Sequence, residues 1–275
     1  VYSKPSVPRS IGGVLDDGFR LGQAAFSKTW PLALLGEILA ALPLFIFKTQ
    51  SGAEDLNDVQ AYLMLSQSPE FALLYVVFTF AWFGLQNAIT VQTVGVALGT
   101  PRTVRESMLI GFRLLPRAIF FWLLMAFGIL LIATCFIIPG RFLGDTDRVF
   151  FLALSVVPLG FYLGRIFLAN SIFVLEDIGA YASLLRSWHL TQGHFWRSGA
   201  ILSLLGIIFV VAALVAGLVT SLAAGVVIAV LGARSTTTLI MVELISAVAT
   251  MAFMPFTAAV LVSIYYDLKL RKEGS

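Results

Sequence analysis

Few residues in this sequence combine a chemically active side chain with a spacing that suggests chemistry. Glu37 lies seven residues beyond Trp30 in one apolar run, and Arg165 lies eleven residues before Glu176 in another. A charge near the middle of a bilayer costs about 2.5–3.5 kcal/mol on insertion scales, so such residues mark pathways, ligand sites or neutralising pairs. Regular helices put the two at comparable depth, which predicts a buried Glu37 and Arg165 ion pair. Gln86, Asn87, Gln92 and Thr93 in one run, and Asn170 and Ser171 in another, are polar at similar depth. With Glu37 and Arg165 they could line one inward-facing cavity, or simply join helices by hydrogen bonds.

A second group gathers at 187–197, where Trp188, His189, His194, Trp196 and Arg197 fall together. Aromatic rings suit the headgroup level of a membrane, and an arginine entering a span can reach a lipid phosphate. This block is therefore the candidate contact for lipid or for a membrane partner. Its two histidines are five apart, a poor spacing for one helical face, and no third His or nearby Cys completes a metal set. Cys135 is the only cysteine and sits in an apolar run, where packing is the expected role. There is no phosphate-binding Gly-rich loop, no GxSxG, no HExxH and no carboxylate pair beside a nucleophile. Asp16 and Asp17 fit the N-terminal turn of a helix better than a catalytic dyad. No catalytic residue, metal or cofactor is expected, and the reading is non-enzymatic.

The elements that must position these residues are membrane spans. Of 275 residues, 59% are hydrophobic and 12% charged, and mean hydropathy is +0.94. Soluble domains carry about a quarter charged residues, so that class is excluded. Six apolar runs bounded by charge are long enough to cross: 30–47, 71–98, 118–138, 149–175, 199–230 and 238–266. Pro43, Pro158 and Pro255 are candidate kinks in the first, fourth and sixth. Glu243 lies near the outer end of the sixth, within reach of the interface. No cleavage pattern follows the first run, so a cleavable leader is not expected.

Thirteen of the 18 Lys and Arg residues fall on the side holding both termini, four on the other, and Arg165 within a span. The positive-inside rule then places both termini in the cytoplasm. The opposite connection carries Glu54, Asp55, Asp58 and Glu70. The net charge of +3 is spread over short loops rather than gathered in a run, which argues against a nucleic-acid partner. Membrane lipids, an integral-membrane protein or a second copy of the chain are the candidate partners.

Each outward span is preceded by an amphipathic segment too polar to cross, suited to the membrane interface. Ser10 caps the first, whose Ile11, Leu15, Phe19, Gly22 and Phe26 share a face. Thr103 and Glu106 have capping-box spacing ahead of Met108, Leu109, Phe112 and Leu115. In the third, Tyr181, Leu184, Leu185, Trp188 and Phe195 form the apolar face, with Arg186 and His189 turned away. The tetrapeptide GFRL occurs at 18–21 and 111–114, and GFRLGQAAFSK from Gly18 aligns with SWHLTQGHFWR from Ser187. The chain therefore divides into three candidate repeat units, 10–98, 103–177 and 178–267, each an interfacial helix followed by an out-and-back pair. Gly95 with Gly99 and Gly160 with Gly164 have the small-residue spacing of close helix contacts.

The stretch FVLEDIGAYASLLRSWHLTQGHFWR and the closing YYDLKLRKEG, with PRSIGGVLDDGFRLGQAAF near the start and Pro139-Gly140, carry a family resemblance. The chain resembles the bacterial membrane domain attached to some glycerophosphodiester phosphodiesterases and found in stand-alone six-helix proteins. No phosphodiesterase domain lies within these residues, so the resemblance implies no hydrolytic activity. It implies a place in the bacterial inner membrane and a role in envelope or lipid homeostasis. The expected protein is all-α and integral, with six spanning and three cytoplasmic interfacial helices in a single membrane domain, 1–275. Its expected role is lipid binding or service as a membrane-complex accessory. The alternative is a transporter or lipid translocator working through a Glu37 and Arg165 pathway.

Overall fold

The computed structural model of the chain describes residues 2, 4–51, 68–232 and 236–274. Among them the architecture is all-helical, with six membrane-length apolar segments. In chain order the helices are α1 (Ile11–Ser51), α2 (Pro69–Ala97), α3 (Val104–Arg113), α4 (Leu115–Gly140), α5 (Asp145–Leu154), α6 (Val156–Ile166), α7 (Ala169–Leu175), α8 (Ala180–Thr191), α9 (Phe195–Leu231), α10 (Thr236–Thr250) and α11 (Phe253–Glu273). Glu54, Asp55, Asp58 and Arg234 lie outside the described residues.

Three spans differ from the expected anatomy, each for a local reason. The first amphipathic segment and the first span are one 41-residue helix, α1. Val14, Gly18, Leu21, Ala25, Thr29 and Leu32 are all buried along it, so one packed stripe crosses the polar-to-apolar junction without a break. Pro31 and Pro43 lie inside that helix without ending it. The fourth span is a stack of three helices, α5 to α7, and the sixth is a stack of two, α10 and α11. Pro158 and Pro255 each sit at the third position of the helix after a break, where the missing N–H costs least. Asp16 and Asp17 fall in the second turn of α1 rather than the first, and Asp17 pairs with Arg9 at 3.2 Å.

The packed interior is built mainly by the first, second and sixth spans. Their most apolar windows are 33%, 28% and 33% buried, against 6%, 6% and 11% for the third, fourth and fifth. Leu32, Leu85 and Ile89 anchor one core cluster. Val14, Leu21, Leu168, Ile172, Leu190 and Val260 belong to a larger one at the end where the termini meet. That meeting is direct, since the Arg9 amide donates to Asp267 Oδ1 at 2.8 Å.

The three amphipathic segments land on spans by a common device, a small residue pressed against a neighbour. A Cβ added at Gly18 of α1 would come within 2.7 Å of Val260 on α11. One added at Gly111 of α3 would meet the Gly84 carbonyl on α2 at 2.5 Å, and Phe112 covers Gly84. Ser187 of α8 is fully buried and donates its hydroxyl to the Arg165 carbonyl on α6 at 2.7 Å. Gly18, Gly111 and Ser187 are the aligned positions of the internal sequence match. Each segment thus rests on a returning span: α3 on the second, α8 on the fourth and α1 on the sixth.

Candidate functional site

The most unusual chemistry lies where α8 meets the fourth span. The inward face of α8 is small and hydroxylic: Ser183, Ser187 and Thr191 are buried, whereas Tyr181, Leu185 and Trp188 are exposed. Ser187 and Thr191 hydroxyls donate to the Arg165 carbonyl, at 2.7 and 3.4 Å, where α6 stops. The hydrophobic face, with Tyr181, Leu185 and Trp188, thus points away from the protein. Such an arrangement suits an interfacial helix, where close contact needs small residues and the apolar side has its own solvent. Arg186, on the side away from that apolar face, points inward to Glu176 and Glu273.

Arg165 sits inside three aromatic rings. Its guanidinium carbon lies 4.9 Å from the Phe161 ring centre, 5.5 Å from Trp188 and 5.4 Å from Phe195. Phe161 is one helical turn before Arg165, α8 supplies Trp188, and α9 begins with Phe195. Gly164 makes the closure possible, since a Cβ there would come within 2.7 Å of the Phe195 ring. Nε and Nη1 are enclosed and have no hydrogen-bond partner. Each ring face contributes up to about 2 kcal/mol when desolvated. Each missing hydrogen bond to a charged donor forgoes about 1.5–3 kcal/mol. The rings therefore hold the cation in place without meeting its demand for an anion.

The predicted ion pair with Glu37 is not formed. Glu37 Oε2 accepts from the Thr250 hydroxyl of α10 at 3.1 Å. The two charges are separated because α1 packs chiefly on α2 and α11, whereas α6 packs on α4, α5, α8 and α9; only α9 touches both. Glu37 instead lines a cavity of about 330 Å³ with Pro43, Tyr75, Thr79 and Trp82. None of the other predicted intramembrane polar residues lines that cavity, so they do not join Glu37 there in one polar chamber. Gln86 and Asn170 are half-buried, and Asn87 is buried with its amide nitrogen unpartnered. Gln92, fully buried, donates to the Arg102 carbonyl at 2.7 Å and accepts from Ser107, which ties α3 to α2.

The remaining predicted residues divide between framework and surface. Arg197 is committed internally: it donates to Asp267 Oδ2 at 3.0 and 3.2 Å and to the Arg9 carbonyl at 2.6 Å. This corrects its expected role as a lipid contact, because a buried carboxylate had already claimed it. Trp188 and Trp196 are exposed, the latter by 86%, and His189 is exposed beside them. His194 is half-buried, and burial together with Arg271, Lys272 and Arg197 holds its pKa below the usual histidine value. Cys135 is exposed on the apolar exterior rather than packed inside. Among the described residues no three His, Cys, Asp or Glu side chains are placed to hold a metal.

Sequence reasoning missed the acidic side of this framework. Glu176 receives two donors from Arg186 at 3.1–3.2 Å and the Tyr265 hydroxyl at 2.7 Å, while Arg186 also pairs with Glu273. Arg117 pairs with Asp177 at 2.7 Å. Phe161 was missed too, although its four-residue spacing to Arg165 on one helix face was a signal that could have found it. The carboxylates Glu176 and Asp267 gave no such signal, because their partners come from distant segments. No family model, curated protein or solved structure matches this chain.

Proposed function

We propose that this protein is a non-enzymatic component of the bacterial inner membrane that holds an anionic phospholipid at its cytoplasmic leaflet. The observation that carries the reading is Arg165, a cation fixed by three rings with Nε and Nη1 unpartnered. A phosphodiester supplies what it lacks once a ring of the cage turns aside to uncover those nitrogens, since arginine and phosphate make charge-assisted, paired hydrogen bonds. The exposed Tyr181, Leu185, Trp188 and Trp196 around it supply the amphipathic rim on which a headgroup and its first methylenes rest. The excess of basic residues at this end supports a cytoplasmic assignment. The resemblance to a membrane domain associated with lipid homeostasis supports the same role, as a lipid-holding or accessory subunit. A translocation pathway through Glu37 and Arg165 loses its basis, because the two do not meet.

The test is the phospholipid content of the full chain purified in mild detergent, comparing wild type with Arg165→Gln and Arg165→Lys. Retained anionic lipid should fall at least about tenfold in Arg165→Gln, as the loss of one charged hydrogen bond implies. Arg165→Lys should keep an intermediate amount, retaining charge without the planar fork. Equal retention by wild type and Arg165→Gln overturns the reading.

A further inference from the structure

A separate cavity of about 430 Å³ opens at the same end of the molecule, between α2, α3, α4 and α7. Its inner wall is apolar, with Val91 and Val94 of α2 and the fully buried Phe173 of α7. Three guanidinium-bearing residues, Arg102, Arg113 and Arg117, line it from three different segments. One carboxylate faces them: Asp177, which pairs with Arg117 and is held at a φ of +48°. Neither Arg102 nor Arg113 forms an ion pair among the described residues, although the Glu106 carboxylate is near enough to Arg102 to feel its charge. Among the residues that line the cavity, three arginines face one carboxylate over an apolar floor.

The arginines are presented by a fixed frame. Gln92 grips the Arg102 carbonyl, and Thr103 and Glu106 close a reciprocal cap over the start of α3. Gly111, pressed against the Gly84 carbonyl, locks the far end of α3, where Arg113 follows two residues later. Membrane sidedness explains why arginines lie at this end but not why three converge on one cavity. We infer that the cavity binds the phosphate group of a phosphate ester, with Arg102 and Arg113 as the principal ligands and Arg117 recruited from Asp177. The volume lies in the range of small-molecule sites, and planar guanidiniums suit phosphate oxygens in pairs. Leu98, 56% exposed at the rim, offers a path for an acyl chain, while the opening also admits a soluble ester. This site shares no residue with the Arg165 cage and does not depend on it.

The experiment is thermal unfolding of the full chain in neutral detergent, titrated separately with dioctanoyl phosphatidic acid, glycerol 3-phosphate and dioctanoyl phosphatidylcholine. Saturable stabilisation by phosphatidic acid, with little from the other two, identifies a lipid source for the phosphate. Saturable stabilisation by glycerol 3-phosphate identifies a soluble source. In either case R102Q/R113Q should weaken binding at least about tenfold with little change in the melting temperature of the unliganded protein, since both side chains are exposed and the interaction of Arg102 with Glu106 is a surface one. Asp177→Asn, which frees Arg117 and removes the opposing charge, should tighten binding several-fold. Arg165→Gln should leave the titration unchanged, so failure here is separable from failure of the lipid-holding role. Stabilisation by none of the phosphate probes, or equal stabilisation of R102Q/R113Q and wild type, overturns the assignment.

Discussion

Asp267 is 1% exposed and gathers the Arg9 amide, Arg197 and Arg271 around one carboxylate, with bonds of 2.8–3.2 Å. It joins the N-terminal segment, α9 and α11. Removing one partner of a buried ion pair costs about 3–5 kcal/mol because the other charge is left uncompensated. Arg197 and Arg271 keep some contact with solvent, which favours the lower figure, so Asp267→Asn should destabilise by about 3 kcal/mol. Thermal unfolding in detergent reads this directly, and a loss under about 1 kcal/mol would contradict the hub role. His194 predicts a pH dependence. Its pKa is lowered in the fold, first by burial and then by Arg271, Lys272 and Arg197, with Asp267 opposing them. The unfolded chain then takes up the proton first, so stability is full above the ordinary value near 6.5 and falls as pH drops through the folded value. Melting temperatures from about pH 7 to about pH 5 should fall more steeply for wild type than for His194→Gln. At this scale the sequence singled out Arg165 as a charge needing an explanation but paired it with Glu37, whereas the structure surrounds it with Phe161, Trp188 and Phe195. Depth along a span is readable from counting residues, whereas the side of the bundle is not, and that is what separates Glu37 from Arg165.

The interfacial segments are held by backbone proximity more than by hydrophobic area. Replacing a helical glycine by alanine ordinarily gains up to about 1 kcal/mol of helix propensity. At Gly111 the added methyl would meet the Gly84 carbonyl at 2.5 Å and the Ala88 nitrogen at 2.6 Å, backbone atoms that cannot turn aside. Overpacking typically costs about 1–3 kcal/mol, which outweighs the propensity gain, so Gly111→Ala should destabilise. Gly12 of α1 has nothing within 4 Å of an added Cβ, so Gly12→Ala should be neutral or stabilising. Unfolding of the two variants side by side checks the claim; the same sign for both would contradict it. The repeated GFRL marked these contacts in the sequence, and the capping box of α3 was readable from Thr103 and Glu106. The protein-facing side of α8 was not, because Ser183, Ser187 and Thr191 give no hydrophobic signal. The continuity of α1 also escaped, since the burial stripe across its junction is set by α11 and not by its own composition.

Across the whole molecule, packing is dense where the termini meet and thin elsewhere. Leu214, Leu218, Leu222 and Val226 of α9 are each at least 63% exposed. In water such a surface would drive aggregation, whereas hydrocarbon accepts it without cost. At about 1.5 Å per residue α1 is roughly 60 Å long, twice the hydrocarbon thickness, so it carries its polar N-terminal part beyond the membrane core. The number of spans was readable because apolar length is a property of the chain itself, whereas the start of the first at Ile11 and the end of the sixth at Glu273 were not. The inner place of the first, second and sixth spans was not, since all six are apolar and only mutual contact distinguishes them. The dense end gathers the ion-pair framework, the Arg165 cage and the basic cavity, which is why a lipid-facing role is assigned there. Native mass spectrometry of the protein released with its surrounding membrane patch tests that role most directly. The account predicts one anionic phospholipid retained per chain in wild type and missing from Arg165→Gln. A lipid complement unchanged by Arg165→Gln, or a stoichiometric protein partner with no bound phospholipid, would contradict it.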